Sequence, residues 1–355
     1  MSLPSDAERA AQAAGLMSMV LERLCASESL TMGESEGLFR KIVEGTVEAP
    51  MLAAILTALK AKGETAAEIA GAARALRASA EPFEAPAHPV ADTCGTGGDG
   101  AASFNVSTAV AFVAAAGGVP VVKHGNRSVS SRCGSADVLE ALGLRIDLDG
   151  AAARKALDAT GFCFLFAPRM HPGVRHAMPV RKALGVRTIF NVLGPLANPA
   201  RPAHQVLGTG VGAWVLPMAE TLRLLGSTAA LVVHGSGMDE IALHGETRAA
   251  RLFEGKITEL TITPEDVGLA RAPADALRGG DPAENAAALR AVLQGQGTQA
   301  QRDAVAFNAG AVLWTTGASS SLREGVARAV DLVRSGAGEK VLESYREASH
   351  DFPTG

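Results

Sequence analysis

The chain has 355 residues, of which 47% are hydrophobic and 4% aromatic, and a formal net charge of -4. This length predicts about two domains with a sizeable core, and the apolar fraction excludes a disordered chain. The negative charge and the scarcity of aromatic rings argue against a nucleic-acid binder. The sequence has no apolar run long enough for a membrane span, no signal peptide and no CxxC pair. We therefore expect a cytoplasmic protein with free thiols.

The first 80 residues carry the signals of consecutive helices. Thr31 with Glu34, and Thr65 with Glu68, form two capping boxes that predict helix starts. The alanine-rich stretch 66–80 predicts a surface helix, and a proline-rich linker follows it. We expect a small all-helical domain over residues 1–85.

After the linker, short apolar strands alternate with helices. This alternation predicts an α/β domain with a mainly parallel central sheet over residues 86–355. The predicted strands lie at residues 90–94, 120–123, 162–166, 205–207 and 229–233, with a hairpin at 248–262.

A glycine-dense loop, residues 95–100, directly follows the first predicted strand. It matches the GxGxxG dinucleotide pattern, but that interpretation needs an acidic residue about 20 positions further on. Pro120 stands there among apolar residues, so we reject a dinucleotide site. A tight turn remains the simple alternative, and the density of glycines favours an anion cradle.

Three further groups of polar residues follow predicted strands or begin predicted helices. Asn105 to Thr108 begin a helix, where they can cap it or offer amides to an anion, and Ser107 can reach Mg²⁺. Lys123 and His124 end a strand in a stretch rich in Lys and Arg, which could equally be a solvated face. Asp239 and Glu240 follow another strand, and paired carboxylates suit Mg²⁺, although such pairs are common.

Two other patterns do not predict a site. The GxSxG match at residues 33–37 lies inside a predicted helix rather than at a strand-to-helix turn, so we reject a nucleophile elbow. The eight histidines offer no clear metal pair, and we expect most of them at the surface or behind the site.

Five ordered motifs resemble those of the anthranilate phosphoribosyltransferase family: GTGGDG, NVSTA, KHGNRSVSSRCGSADVLEALG, HPGVRHAMPVRKALGVRTIFNVLGPLANP and VVHGSGMDE. The resemblance covers roughly residues 30 to 340. It implies a nucleoside phosphorylase/phosphoribosyltransferase-like fold, Mg²⁺ as cofactor, and the substrates phosphoribosyl pyrophosphate (PRPP) and anthranilate. It also implies a homodimer formed through the helical domain, and that part of residues 171–197 joins that domain.

The resemblance further implies a role for each matching residue. Lys123 and Arg181 would be catalytic, and Ser107, Asp239 and Glu240 would bind Mg²⁺. Anthranilate would contact Gly95, Asn126 and Arg181, in a tunnel shaped by His124, Gly194 and Pro195. The residues that would bind PRPP are Gly95, Gly98, Asp99, Ser103, Asn105, Val106, Ser107, Thr108, Lys123, His124, Gly125, Asn126, Arg127, Ser128, Val129, Ser130, Ser131 and Ser135.

Two alternatives stay open at this point. A pyrimidine nucleoside phosphorylase shares the architecture but would use orthophosphate and a nucleoside. A non-catalytic relative that binds nucleic acid would have lost the carboxylates and would carry a basic overall charge. The adjacent Asp239 and Glu240 and the net charge of -4 favour the transferase.

Overall fold

The computed structural model describes residues 6–101, 103–128 and 132–352, with side chains from residue 15 onward. Contacts divide it into a helical unit and an α/β unit. The helical unit takes the chain up to Ala80 together with His171–Ala197, and the rest forms the α/β unit. The predicted fold classes of both domains are confirmed. We propose that the domain boundaries coincide with those of the two units. Among the described residues, no helix has the length and apolar character needed to cross a membrane.

The helical unit begins with α1 (Asp6–Cys25), α2 (Met32–Val43), α3 (Ala49–Lys62) and α4 (Ala66–Ala78). Both predicted capping boxes form, at Thr31 and Thr65. The predicted surface position of α4 is wrong, because nearly all of its residues from Glu68 to Arg77 are buried. A Cβ at Gly71 would overlap the backbone of α2. The small side chains therefore permit close helix packing.

The chain then alternates between strands and helices before it returns to the helical unit. The elements are β1 (Ala91–Gly95), α5 (Val106–Ala116), β2 (Val121–Gly125), α6 (Ser135–Ala141), α7 (Gly150–Thr160), β3 (Phe162–Phe166) and α8 (Ala167–Met170). The segment over 171–184 forms a 3-10 turn, Pro172–His176, and α9 (Met178–Leu184). Its two prolines each remove an amide donor, which favours short helical pieces. Helix α10 (Phe190–Leu193) and the 3-10 turn Gly194–Leu196 follow.

The remainder of the α/β unit contains β4 (His204–Gly208), α11 (Val215–Leu224), β5 (Ala229–Gly235), β6 (Thr247–Phe253), β7 (Lys256–Ile262), α12 (Pro282–Leu293), α13 (Gln299–Thr315), α14 (Leu322–Arg334) and α15 (Ala337–His350). It also has 3-10 turns at Gly212–Trp214, Pro264–Val267 and Ala274–Leu277.

In the described chain the strands form one seven-stranded sheet in the order β3-β2-β1-β4-β5-β6-β7. The pairings from β3 through β5 are parallel, and β6 and β7 are antiparallel. The chain builds outward from β1 to β3, and β4 then pairs with the other side of β1. The order of strands therefore reverses between β1 and β4. Such a switch point leaves a crevice at the carboxyl ends of the strands, where α/β proteins bind ligands.

Helix α5 lies in the core of the α/β unit. Its residues from Thr108 to Ala114 are all buried. The rings of Phe112 and Phe162 lie 4.4 Å apart, and Tyr345 packs edge-on against Phe162 at 4.9 Å. This packing fixes the axis of α5, and with it the position of the helix N-terminus beside the switch point.

Candidate active site

Strands β1, β2, β4 and β5 each end on a glycine at the edge of the sheet that holds the switch point. A Cβ at Gly95, the end of β1, would overlap the carboxylate of Asp239. A Cβ at Gly208, the end of β4, would overlap the backbone of the same residue. The segment after β5 can therefore lie directly on the strand ends because no side chains stand there.

The glycine loop, residues 95–100, is hydrogen-bonded to this segment, although the two are separated by 142 positions in the chain. The amide of Gly97 donates to Asp239 Oδ2 at 2.7 Å. In the other direction, the amide of Asp239 donates to Asp99 Oδ2 at 3.2 Å. The predicted anion loop and the predicted metal carboxylates thus meet at one place.

The N-terminus of α5 faces the neighbouring carboxylate. The amide of Ser107 donates to Glu240 Oε1 at 3.1 Å. Asn105, at the N-cap position, adopts a left-handed conformation (φ 62°) and makes no side-chain cap. Its side chain instead donates to the Cys133 carbonyl at 3.2 Å and accepts from Asn285 at 2.8 Å. The side chain of Asn105 therefore does not cap α5, and the amide of Ser107 in the first turn donates to an acidic group instead.

Burial of the two carboxylates opposes their ionisation. It raises the pKa of Asp239 to about 7, with Asp99 adding repulsion. Burial likewise raises the pKa of Glu240 to about 8, with Asp239 as the next cause and Lys123 opposing it. A bound divalent cation would supply the missing positive charge.

The residues present fit Mg²⁺ rather than a site made of protein ligands alone. Within the described residues, no group of three or more His, Cys, Asp or Glu side chains is arranged to hold a metal ion. Mg²⁺ commonly takes one or two carboxylates and completes its shell with water and substrate phosphates. The Asp239 and Glu240 pair, beside the hydroxyl of Ser107, matches that ligand chemistry.

Lys123, in the middle of β2 rather than at its predicted end, is only 2% exposed. Its ammonium donates to the Thr93 carbonyl at 2.6 Å and to Ser107 Oγ at 3.3 Å. Asp92 is fully buried, and Asn198 Nδ2 donates both to its carboxylate at 2.9 Å and to the Val122 carbonyl at 2.8 Å. Burial raises the pKa of Asp92 to about 6, and the charge of Lys123 opposes that rise. The hydrogen bond to Ser107 connects the Lys123 ammonium to the site.

The segment after β2 carries most of the remaining predicted PRPP residues. Arg127 is held by Asp137 at 3.1 Å and by Glu140 at 2.5 Å, both on α6. Ser135 Oγ donates to the Asn126 carbonyl at 3.3 Å, and the Ser128 amide donates to Asp137 at 3.0 Å. The predicted residues Val129, Ser130 and Ser131 lie outside the described residues.

Comparison with known proteins shows the family. Residues 87–339 match the model of a glycosyl transferase family a/b domain, and residues 18–80 match its helical bundle domain. The chain is 57% identical over 336 residues to a protein from Sorangium cellulosum named anthranilate phosphoribosyltransferase, covering 95% of this chain and 97% of that protein. A protein of the same name from Psychromonas ingrahamii is 49% identical, with 93% and 97% coverage.

The chain belongs to the anthranilate phosphoribosyltransferase family.

Solved structures of this family share the fold. The anthranilate phosphoribosyltransferase from Thermus thermophilus superposes with a TM-score of 0.89 at 45% identity, covering 93% of this chain and 99% of that one. The Saccharomyces cerevisiae protein, solved in complex with PRPP and Mg, gives a TM-score of 0.86 at 26% identity, with 96% and 99% coverage.

Arg181, which the family motifs predict to bind anthranilate, lies on α9 in the helical unit. Its guanidinium stacks on the ring of Phe190 at 5.0 Å and contacts the sulfur of Met178 at 3.5 Å. Burial lowers the pKa of Arg181. Gly95 and Asn126 belong to the α/β unit, and the joint contact of all three with anthranilate stays a prediction. Gly194 and Pro195 form the 3-10 turn that ends the helical unit's second segment.

Other residues that the family motifs predict to bind PRPP have defined positions in the structure. Val106 and Thr108 are buried. Ser103 forms an isolated antiparallel bridge with Arg278, which lies far along the chain. The roles of these residues, and of Gly98, His124 and Gly125, remain predictions.

Four residues that support the site were missed by sequence reasoning. Asn285 donates to Asn105, and Asn198 donates to Asp92 and to the Val122 carbonyl, next to Lys123 in the chain. His234 contacts the segment that carries Asp239. Asn198 and His234 stand within the quoted motifs, which is the only signal that the sequence offers for them.

Proposed function

We propose that this protein transfers the 5-phosphoribosyl group of PRPP to the amine of anthranilate. The products are N-(5-phosphoribosyl)anthranilate and pyrophosphate, and the reaction is the second step of tryptophan biosynthesis from chorismate. One observation carries the proposal: the glycine loop, the N-terminus of α5 and the Asp239–Glu240 pair meet at the sheet's switch point. This combination supplies anion-binding amides and Mg²⁺ carboxylates in one crevice.

Mg²⁺ would be held by Ser107, Asp239 and Glu240, and when bound it neutralises charge on the pyrophosphate group. The chain's own donors surround the same place. The amides of Gly97 and Ser107 donate to carboxylates in this structure, and phosphate oxygens are equivalent acceptors. The other residues proposed to bind PRPP are those of the family motifs given above.

Cleavage at the ribose anomeric carbon develops positive charge on the sugar and negative charge on pyrophosphate, as in glycoside cleavage. Fixed donors that face the leaving group lower this barrier without reorganising. Lys123 contributes a buried positive charge whose hydrogen bond to Ser107 orients that hydroxyl. The chain therefore acts mainly by electrostatic stabilisation of the leaving group.

Anthranilate, the acceptor, must be held in the right orientation, whereas its amine does not need activation by a base. The amine of anthranilate is neutral at pH 7, so no strong base is required, and we assign no general base. Arg181 can pair with the anthranilate carboxylate through two parallel hydrogen bonds. Its stacking on Phe190 limits the directions that the guanidinium can take. Holding the amine near the anomeric carbon supplies proximity.

A homodimer formed through the helical domain and a cytoplasmic location complete the proposal, and both remain predictions. A pyrimidine nucleoside phosphorylase is less well supported, because the similar proteins given above are named anthranilate phosphoribosyltransferase.

The direct test mixes purified protein with Mg²⁺, PRPP and anthranilate and follows the loss of anthranilate fluorescence. We expect a loss that requires PRPP, together with release of pyrophosphate. A parallel mixture with thymidine and orthophosphate should yield no free thymine. Phosphorolysis in that mixture, with stable anthranilate fluorescence in the first, would overturn the proposal.

A further inference from the structure

His234 lies next to the end of β5, just before the segment that carries the metal carboxylates. Its ring contacts two backbone groups. Nδ1 lies 2.8 Å from the carbonyl oxygen of Thr209, which follows β4. On its other side, Nε2 lies 3.3 Å from the amide nitrogen of Gly237. The imidazole therefore joins the ends of two neighbouring strands.

The two partners determine which nitrogen carries the proton. A carbonyl oxygen can only accept a hydrogen bond, so Nδ1 must donate to Thr209. A backbone amide can only donate, so Nε2 must accept from Gly237 with its lone pair. Only the neutral ring with hydrogen on Nδ1 satisfies both contacts. The backbone thus specifies a single state of the side chain.

The turn that His234 supports has an unusual backbone. Ser236 and Gly237 both have positive φ, at 50° and 99°. Gly235 and Met238 exchange two backbone hydrogen bonds, at 2.9 and 3.1 Å. This tight turn directs Asp239 and Glu240 back toward the strand ends. A non-glycine residue at positive φ is strained, so the turn needs support from its surroundings.

Thr209, the other partner of His234, is connected to the glycine loop. The amide of Thr209 donates to the Val233 carbonyl at 2.8 Å. The next amide, of Gly210, donates to Thr96 Oγ1 at 3.3 Å, and Thr96 is part of the glycine loop. His234 therefore ties the turn that carries the carboxylates to a strand end that also holds the glycine loop.

We propose that His234 is a positioning residue: its neutral ring holds the turn at residues 235–238 so that Asp239 and Glu240 are placed for Mg²⁺ and PRPP. It does not contact the reacting groups. The inference rests on the proposed function for the identity of the ligands, whereas the effect of His234 on the turn is independent of that function.

Removing the ring should leave the fold intact. Ser236 on the same turn has its own contacts, because its carbonyl lies 3.1 Å from His244 Nε2 and its hydroxyl donates to the Glu246 carbonyl at 2.8 Å. The ladder between β4 and β5 is made of backbone bonds that the substitution does not touch. A variant is therefore expected to be folded but to have a looser turn.

The test uses three variants that remove different contacts. His234→Phe keeps a planar ring and loses both hydrogen bonds. His234→Asn keeps a donor near the position of Nδ1 and loses the acceptor for Gly237. His234→Gln keeps an acceptor near the position of Nε2. His350→Phe is the matched control, because His350 lies on α15 and bonds the Gly143 carbonyl at 2.9 Å.

Two measurements are compared across these proteins. The first is the Mg²⁺ concentration for half-maximal activity, with the KM values for PRPP and anthranilate. The second is amide hydrogen exchange of the peptide that covers residues 235–240, without substrates. We expect His234→Phe and His234→Asn to raise the Mg²⁺ requirement and the KM for PRPP by about 5- to 10-fold, as for one lost hydrogen bond. The KM for anthranilate should change little, and exchange should be faster.

His234→Gln keeps the acceptor for Gly237 but loses the donor to Thr209, so it should lie between His234→Phe and the wild type in both measurements. His350→Phe should match the wild type. Equal behaviour of His234→Phe and the wild type, or equal losses in His234→Phe and His234→Gln, would overturn the proposal. A rise in both KM values together, without faster exchange, would also contradict it. If the wild type itself shows no turnover, the proposed function fails, and the exchange measurement still decides whether His234 holds the turn.

Discussion

At the scale of single residues, Gly95 has no room for a side chain. The carboxylate of Asp239 occupies the space that a side chain at position 95 would need. We predict that Gly95→Ala displaces this carboxylate and lowers kcat/KM for PRPP by about 100-fold, the cost of a displacement near 1 Å in a catalytic site. Steady-state rates measure this decrease in kcat/KM for PRPP. Gly33→Ala is the control, since a Cβ at Gly33 would meet nothing within 4 Å, and equal activity in both variants would refute the prediction.

Arg181 tests the acceptor side. We predict that Arg181→Ala raises the KM for anthranilate about 10-fold or more, because a charge-assisted hydrogen bond is lost, and leaves the KM for PRPP nearly unchanged. Lys182→Ala, at the adjacent exposed position of α9, should leave both values unchanged. Equal rises in both KM values for Arg181→Ala would remove Arg181 from its proposed role.

Motifs could indicate which residues gather at the site, but not how each one is held. The left-handed conformation of Asn105 accompanies bonds to Cys133 and Asn285, which come from distant parts of the chain. The ion pairs of Arg127 with Asp137 and Glu140 are likewise set by the placement of α6. Such contacts depend on tertiary packing, which residue spacing does not encode.

At the scale of elements, the helical unit contains a buried ion pair between α3 and α4. Lys62 Nζ lies 2.9 Å from Glu68 Oε2, with the two side chains 5% and 0% exposed. Glu68 also accepts from the Leu30 amide at 2.9 Å. We predict that Lys62→Met lowers the free energy of unfolding by about 3 kcal/mol, because it leaves a buried carboxylate without its partner.

Urea denaturation measures this difference. Arg40→Met is the control, because the pair between Arg40 and Glu36 is exposed at the arginine and worth at most about 1 kcal/mol. A Lys62→Met protein as stable as the control variant would show that the buried pair contributes nothing net.

His171 gives the helical unit a predicted dependence on pH. Burial lowers the pKa of His171 to about 4, although its ring bonds backbone near Leu76 and Ala197. Because the folded pKa lies below the unfolded value of about 6.5, protonation favours the unfolded state. The contribution of His171 is therefore complete above pH 6.5 and is lost as the pH falls toward 4.

Unfolding free energies measured between pH 4 and 7 check this dependence against His171→Asn. The wild type should lose more stability than the variant over that range. Parallel curves for the two proteins would contradict the prediction.

Periodicity and capping signals were sufficient to predict most elements, including the hairpin of β6 and β7. These signals failed where one residue type is compatible with two different local structures. Alanine favours both exposed and tightly packed helices, and the burial of α4 and the close approach of Gly71 to α2 show that α4 is tightly packed. In the 171–184 segment, proline stands in the first turn of both helical pieces, where it is tolerated.

At the scale of the whole molecule, the alternation of strands and helices predicts a parallel sheet but not its order. The position of β4 beside β1, rather than beside β3, creates the switch point. That pairing joins residues far apart in the chain, and no local signal specifies it. The resemblance to the family supplied the fold type and the contribution of part of residues 171–197 to the helical unit, but not the order of the strands.

Asp239 and Glu240 lie on the strand ends, where we propose that they serve Mg²⁺-dependent phosphoribosyl transfer. The most direct test is a Mg²⁺ titration of the rate of anthranilate consumption at saturating PRPP, for the wild type and for Asp239→Asn combined with Glu240→Gln. We expect the variant to lose most activity and to show a weakened Mg²⁺ dependence. A variant whose Mg²⁺ titration curve coincides with that of the wild type would show that these carboxylates do not hold the Mg²⁺ used in the reaction.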